Sequence, residues 1–370
     1  MAENTSPSVR VALAEDRKDF YRLWKICFGD SDAFCDWFFS RRFVPEYSVC
    51  LEQEEILSCM QSFPYTFRIR GKQIPGAMLC GVSTHPDHRK KGYMGEIFRY
   101  EMNLLRQKGC LVAPHTPAVL ESYFSFGHFP VADAAYLESQ CVPFVPQSEN
   151  MHTIEKQEWE NLFPLYREFA AKYSGIVDRT KEDFLRKCAD YAADGGKCSA
   201  YIENNEIKGY GFYYQTETDL TCVEAVAKDG YYHALTEGLF ALAEGCRFSA
   251  KLPPELYLSF PFAKLKKRQK GVMGLCNLSA LMQALDMVFP YAFRVQDAVV
   301  GENNGCFDCK GDQSGEPPVF EISAGHLLQV LVGYRTLEEL REHIRIFAEE
   351  KFAEINEYLP KCRCYIIDEY

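Results

Sequence analysis

Residues 77–108 constrain the fold more than any other stretch of the chain. Ala77-Met78-Leu79-Cys80-Gly81-Val82 is apolar enough to form a strand buried on both faces. A polar, basic segment from Ser83 to Lys91 follows and ends at Gly92. Met94, Ile97, Phe98, Met102 and Leu105 then fall on one helical face, and Gly109 supplies the stop. Cys110 to Ala113 reads as a further short strand. Strands and helices that alternate in this way predict a mixed α/β domain.

The join between strand and helix carries chemistry. At a helix N-terminus the first N–H groups have no intrahelical partner, and the helix dipole favours negative charge there. A glycine lets the backbone approach a ligand, and Arg89, Lys90 and Lys91 add positive charge, so a diphosphate is the natural guest. Taken alone, the same residues also read as a basic surface turn before a helix.

Length and composition bound the rest. A chain of 370 residues, 47% hydrophobic and 25% charged, is globular and suggests two or three domains. The net charge of −11 argues against a general nucleic-acid binder and favours a cationic small molecule as partner. The start, Met1 to Pro7, has no apolar core of a secretory signal, and no run reaches the ~18 apolar residues of a membrane span, so a soluble, cytoplasmic chain is expected. The 16 cysteines then read as reduced, mostly buried thiols.

Further elements follow from periodicity. A strand is expected at Val9–Leu13, and two short helices carry Phe20, Leu23, Trp24 and Cys27, then Phe34, Trp37 and Phe38, around a break at Gly29-Asp30. Strands are expected at Tyr47–Leu51 and Phe67–Arg70, a short helix from Pro117 through Tyr123, and a strand at Phe126–Val131. The polar stretch Gln147 to Asn150 marks a linker, after which a similar order restarts. Asn204-Asn205 predicts a hairpin turn, Leu256 to Leu258 a strand, and Lys264 to Lys270 a solvated loop. A third, α+β region begins near Leu275 and ends on the extended apolar run Cys364 to Ile367. Expected domains are therefore 1–150, 151–274 and 275–370.

Pro86, Arg89 and Gly92, after Val82 and Thr84 on the strand, resemble the acetyl-CoA motif P-x-x-R-x-x-G-x-(G/A) of the GNAT N-acetyltransferases, with Met94 where Gly or Ala is usual. Tyr123-Phe124-Ser125-Phe126-Gly127-His128 is similar to a segment of the Eis-like acetyltransferases, and the order of elements fits that family over the whole chain. The resemblance implies two GNAT-like mixed-sheet α/β domains followed by a sterol-carrier-like α+β domain. It also implies acetyl-CoA as co-substrate, no metal, an amine acceptor of aminoglycoside or polyamine type, and a hexameric homo-oligomer. The second domain lacks the arginine signature, since Glu224 to Gly230 precedes its helix, and is expected to bind no acetyl-CoA.

The resemblance assigns roles as well. Val82, Ser83 and Thr84 would pair with the pantetheine amides as an added strand does. The amides of Lys90, Lys91, Gly92, Tyr93, Met94 and Gly95 would hold the diphosphate, beside Arg89. The N–H of Val82 or Ser83 would stabilise the oxyanion. Tyr123 takes the general-acid role and the α-carboxylate of Tyr370 the base role. A phenol near pKa ~10 and a carboxylate near ~3.5 are poor acid and poor base in water, so position and local tuning must do the work. Asp30 and Glu369 match acidic acceptor-pocket positions and Trp37 a pocket wall; without the family these read as surface charges and a core aromatic, as Tyr123 reads as a packed core aromatic and Tyr370 as a tail. His85, His88, His115 and His128 read as structural. Cys306-x-x-Cys309 and Cys362-x-Cys364 could furnish four zinc ligands, but C-x-C is not usual zinc-ribbon spacing, so they read as unliganded thiols. The rival reading is a non-catalytic ligand carrier using the C-terminal domain.

Overall fold

The computed structural model describes residues 6–287, 289–308 and 310–369. The readings that fall on Met1–Thr5, Cys309 and Tyr370 lie outside them.

The first sheet is built on two long strands, Ile56–Ile69 and Lys72–Thr84, paired antiparallel. Ser48–Glu52 and Ser8–Val11 extend it on one side. On the other side come Val112–His115, Val272–Leu275 and Phe129–Pro130. Helix Tyr93–Gln107 connects the one parallel pair, Lys72–Thr84 with Val112–His115, and buries Ile97, Phe98, Met102 and Leu105 against Val49, Leu51, Met60 and Leu79. Helices Arg17–Phe28 and Asp32–Arg41 cover the opposite face with Phe20, Leu23, Trp24, Phe38 and Phe39. Gly29, at φ +74, breaks them apart.

The second sheet runs Lys264–Gln269, Asp133–Ser139, Arg247–Leu252, Asp219–Ala227, Glu206–Gln215, Lys197–Glu203, Met151–Thr153. Asn204 and Asn205, at φ +52 and +59, make the expected tight turn, because a two-residue hairpin needs two positive φ values. The sheets cross the sequence boundaries in both directions. Asp133–Ser139 follows the first domain's last strand yet pairs in the second sheet, while Val272–Leu275 returns to the first and sits between Val112–His115 and Phe129–Pro130.

Two local expectations are corrected. Lys264–Gln269 is an edge strand, not a loop: Lys266 and Arg268 both pair with Glu138 on the neighbouring strand, and their charge protects the open edge. No strand forms at 256–258, where Tyr257 is exposed; the strand lies earlier, at Arg247–Leu252, and stops before Pro253.

The third unit is a four-stranded sheet, Gly305–Phe307, Phe293–Gln296, Phe320–Ser323, Arg345–Ile346, with helices Leu278–Ala284, Ala324–Val332 and Glu349–Glu357. Phe289, Phe293, Phe307, Phe320 and Phe352, each buried, fill its interior. The three units lock together at the C-terminal end of helix Ala324–Val332. Its orphan carbonyls accept hydrogen bonds from Arg70 (to Val330 and Leu331) and from the Ser174 hydroxyl (to Val332, 2.6 Å). The last residues are extended and buried, but they make only an isolated bridge, Ser174 with Cys364, rather than a strand. No helix among the described residues is long and apolar enough to cross a membrane.

Candidate active site

The first sheet opens where its parallel strands part. Lys72–Thr84 pairs along its length with Ile56–Ile69, but meets Val112–His115 only at Gly76–Val112, where the Leu111 N–H donates to the Pro75 carbonyl at 2.8 Å. Gly76 permits that approach, since a Cβ there would lie 2.5 Å from the Val112 oxygen. Beyond it a bulge sets Gly81 and Val82 against Met60 and bends the strand away. Gly81 is left-handed, at φ +58, and the Trp24 ring packs where a Cβ would stand, 2.6 Å from it.

The gap is a channel of about 550 Å³. Leu79, Cys80, Gly81 and Val82 line one side, His115 and Thr116 the other, with Met94 and Tyr123 also facing it. Met94 sits in the first turn of helix Tyr93–Gln107, so its side chain lines the channel rather than the core. In the turn before it, Lys90 (φ +64) and Gly92 (φ +87) are both left-handed. The N–H groups of residues 90–94 find no acceptor among the described residues, whereas Gly95 and Glu96 both donate to the Gly92 carbonyl. Such a row of free amides is an anion-binding concavity. Arg89 braces it, its Nε donating to the Thr84 carbonyl at 3.1 Å.

Tyr123 is carried by the 3₁₀ helix Leu120–Phe126, its ring 4.4 Å from that of His115 and 5.8 Å from that of Phe98. Burial pushes its phenol up to about 12, so it stays protonated and keeps a proton to donate. Burial also pushes His115 down to about 3 and His128 well below the usual range, so both are neutral at pH 7.

A second cavity, of about 390 Å³, shares Trp24 and Asp30 with the channel. Trp24 Nε1 donates to Asp30 Oδ2 at 2.7 Å, which fixes the acid in the wall common to both. Phe34, Phe38, Tyr191 and Tyr214 give this cavity aromatic faces, and Asp30, Asp190, Asp194 and Glu369 give it acids, against Lys187. Burial raises the Asp194 carboxyl and lowers Lys187 to about 8. Aromatic faces with carboxylates suit an organic cation.

The sequence-derived residues are brought together unevenly. Val82, Met94, Tyr123 and Asp30 line the channel. Ser83 turns its hydroxyl to Cys59 in the core, and the Thr84 carbonyl is taken by Arg89, so the exposed strand edge is 79–82. Gly95 spends its amide inside the turn. Tyr93 heads the helix, and Lys90 and Lys91 are exposed. Trp37 stands outside both cavity linings and donates to Asp190 Oδ1 at 3.3 Å. Burial alone would raise the Glu369 carboxyl, yet Lys251 and Lys270 pull it down to about 2 and hold it in ion pairs. Among the described residues no metal-holding group of His, Cys, Asp or Glu is present.

Sequence reasoning missed Lys187, Asp190, Tyr191 and Asp194, although their spacing of i, i+3, i+4, i+7 puts one polar stripe on helix Lys181–Ala193 and its cap. It also missed the role of Glu224, the one charge in the stretch 220–227 of strand Asp219–Ala227.

Comparison with known proteins accords with this geometry. Residues 8–131 match the acetyltransferase (GNAT) domain family, and residues 278–366 match the sterol carrier protein domain family. No curated protein matches the chain. Among solved structures, a GCN5-related N-acetyltransferase from Anabaena variabilis shares 14% identity at a TM-score of 0.81, covering 99% of this chain and 100% of its own. A probable N-acyltransferase of unknown function from Enterococcus faecalis shares 16% at 0.79, with 99% and 100% covered. Eis1 from Mycobacterium abscessus shares 15% at 0.75, with 98% and 100% covered. The chain thus joins a GNAT acetyltransferase domain to a sterol carrier protein domain and has the Eis-like fold from end to end.

Proposed function

We propose that the protein transfers an acetyl group from acetyl-CoA directly to an amine of a cationic small molecule, of aminoglycoside or polyamine type, in a ternary complex. The observation that carries the reading is the row of free amides at 90–94, opening onto a channel that meets an acidic, aromatic cavity at Trp24 and Asp30. Acetyl-CoA supplies the thioester. The amides of 90–94 hold its diphosphate and the edge 79–82 holds its pantetheine arm.

The chain's own residues then have defined tasks. Asp30 and the aromatic faces beside it draw the ammonium to the junction of the two cavities. The N–H of Val82 or Ser83 donates to the carbonyl oxygen as charge develops on it. The Tyr123 hydroxyl donates to the sulfur as the C–S bond breaks, so the products are the N-acetyl amine and the free thiol. The proton lost by the amine goes to a base, for which the resemblance to Eis-like enzymes offers the α-carboxylate of Tyr370. With Glu369 held by two lysines and Asp190 by Arg42 at 3.5 Å, Asp30 and Asp194 supply the cavity's attraction for cations.

The carrier reading is disfavoured by the phenylalanines that fill the sterol carrier unit. A homo-oligomer, hexameric by resemblance, is open to light scattering. The reading is tested by thiol release from acetyl-CoA with a panel of polyamines, aminoglycosides and lysine peptides. Turnover with at least one cationic small molecule supports it; no release above hydrolysis with any amine overturns it.

A further inference from the structure

The second domain repeats the strand, helix, strand arrangement of the first, but the turn into its helix carries Asp229 and no arginine. Its helix Tyr232–Leu242 is entered through Lys228-Asp229-Gly230-Tyr231, where Tyr231 donates to the Lys228 carbonyl and Leu235 to that of Tyr231. Its parallel strands pair from Asp219–Arg247 to Cys222–Ala250 and then stop. Next to that point lie Tyr365, Ile366, Ile367 and Asp368, all buried.

Four cations of the second domain grip this segment, Lys270 through an ion pair with Glu369 at 3.5 Å. Arg179 donates to both Glu224 oxygens (3.0 and 2.8 Å) and twice to Asp368 Oδ1 (3.2 and 2.8 Å). Lys251 Nζ reaches the Ile367 carbonyl at 3.2 Å and the Glu369 carboxylate at 2.6 Å, and Lys187 Nζ reaches the Glu369 carbonyl at 2.8 Å. The side chains of Arg179, Glu224 and Asp368 are 1%, 0% and 2% exposed. Burying three charges is a poor way to stabilise a fold, but it fixes a register, because a slipped strap would leave buried charges without their partners. Here the register matters: Ile367 and Glu369 form part of the acceptor cavity's wall.

We infer that the second GNAT-like unit is a clamp for the chain's own C-terminal strap, which it holds where its two parallel strands part, with Asp368–Arg179 as the positioning pair for the acceptor cavity. The inference rests on the acetyltransferase reading for the purpose of the clamp, not for its existence. Removing Arg179 would strand two buried acids, so the informative variants are Asp368→Asn, which leaves Arg179 paired with Glu224, and Lys251→Gln. Hydrogen exchange of the full chain, followed by mass spectrometry, should show peptides covering 364–369 exchanging at least tenfold faster in each variant, with helix Tyr93–Gln107 unchanged. The kcat for acetyl transfer should fall at least tenfold while KM for acetyl-CoA stays within twofold. Wild-type exchange in the strap, equal acceleration throughout the chain, or a loosened strap with wild-type kcat would each overturn the inference. A wild-type protein that transfers no acetyl group would instead remove the proposed function, and the exchange comparison would still decide whether the clamp exists.

Discussion

Gly81 lines the channel and packs against Trp24, which the channel shares with the acceptor cavity, and a methyl group there separates two costs that are usually confounded. Alanine at φ +58 pays for a left-handed backbone, roughly 1 kcal/mol. Its Cβ would also stand 2.6 Å from the Trp24 ring, so the ring must move and its 2.7 Å bond to Asp30 is lost. A hydrogen bond to a charged group is worth about 1.5–3 kcal/mol, which brings Gly81→Ala to roughly 3 kcal/mol. Gly92→Ala is the matched control: its φ of +87 carries the same backbone cost, but nothing lies within 4 Å of the added Cβ. Urea unfolding of the two variants should therefore differ by about 2 kcal/mol. In thiol-release kinetics Gly81→Ala should raise KM for the amine, because the Trp24–Asp30 wall has shifted. A Gly81→Ala protein as stable as Gly92→Ala, or one with wild-type amine KM, refutes the reasoning.

Three further outcomes follow from the structure. Tyr123→Phe should lower kcat by roughly 10² or more with acetyl-CoA affinity unchanged in calorimetry; full kcat would remove the phenol as proton donor. Adding residues after Tyr370 should abolish turnover and spare acetyl-CoA binding, and normal turnover would remove the carboxylate as base. Glu101 is wholly buried, with the Ser62 hydroxyl donating to it, and burial raises its carboxyl from 4.5 to about 8. Because the native state holds that proton and the unfolded chain releases it above about 4.5, stability contributed by the neutral form is full below that pH and lost as pH rises towards about 8. The loss has a ceiling of roughly 5 kcal/mol, and Glu101→Gln should flatten the urea-midpoint profile between pH 5 and 8; an unchanged slope would show that another group sets it.

The elements legible in the sequence are those whose pattern is local. The strand, turn and helix of 77–108 show a plain change from apolar run to helical period, and Asn204-Asn205 demands its turn. The strand Ile56–Ile69 was seen only at its end, because Ser58, Gln61, Ser62 and Pro64 interrupt the apolar run. Three of these four are buried and two are hydrogen-bonded to distant partners, Ser58 to Ser83 and Ser62 to Glu101, which no local pattern reveals. Charge misled at the basic run: Lys264–Gln269 is a strand because Glu138 lies across from two of its cations. Glu369 lies in the acceptor cavity's wall, but Lys251 and Lys270 fold onto it, which no local pattern reveals. Of the first domain's half of the site, the anion turn was readable from its own residues, whereas Tyr123 and Asp30 were readable only through the family resemblance. The half contributed by helix Lys181–Ala193 and the strap exists only once three domains are packed together.

The central claim is that the turn 90–94 holds a diphosphate at the mouth of the channel. A crystal structure of the protein with acetyl-CoA tests it directly. The account requires diphosphate oxygens within about 3.2 Å of several of these five amide nitrogens, with the thioester between Val82 and Tyr123. Acetyl-CoA bound elsewhere, or a turn empty at millimolar ligand, would contradict it.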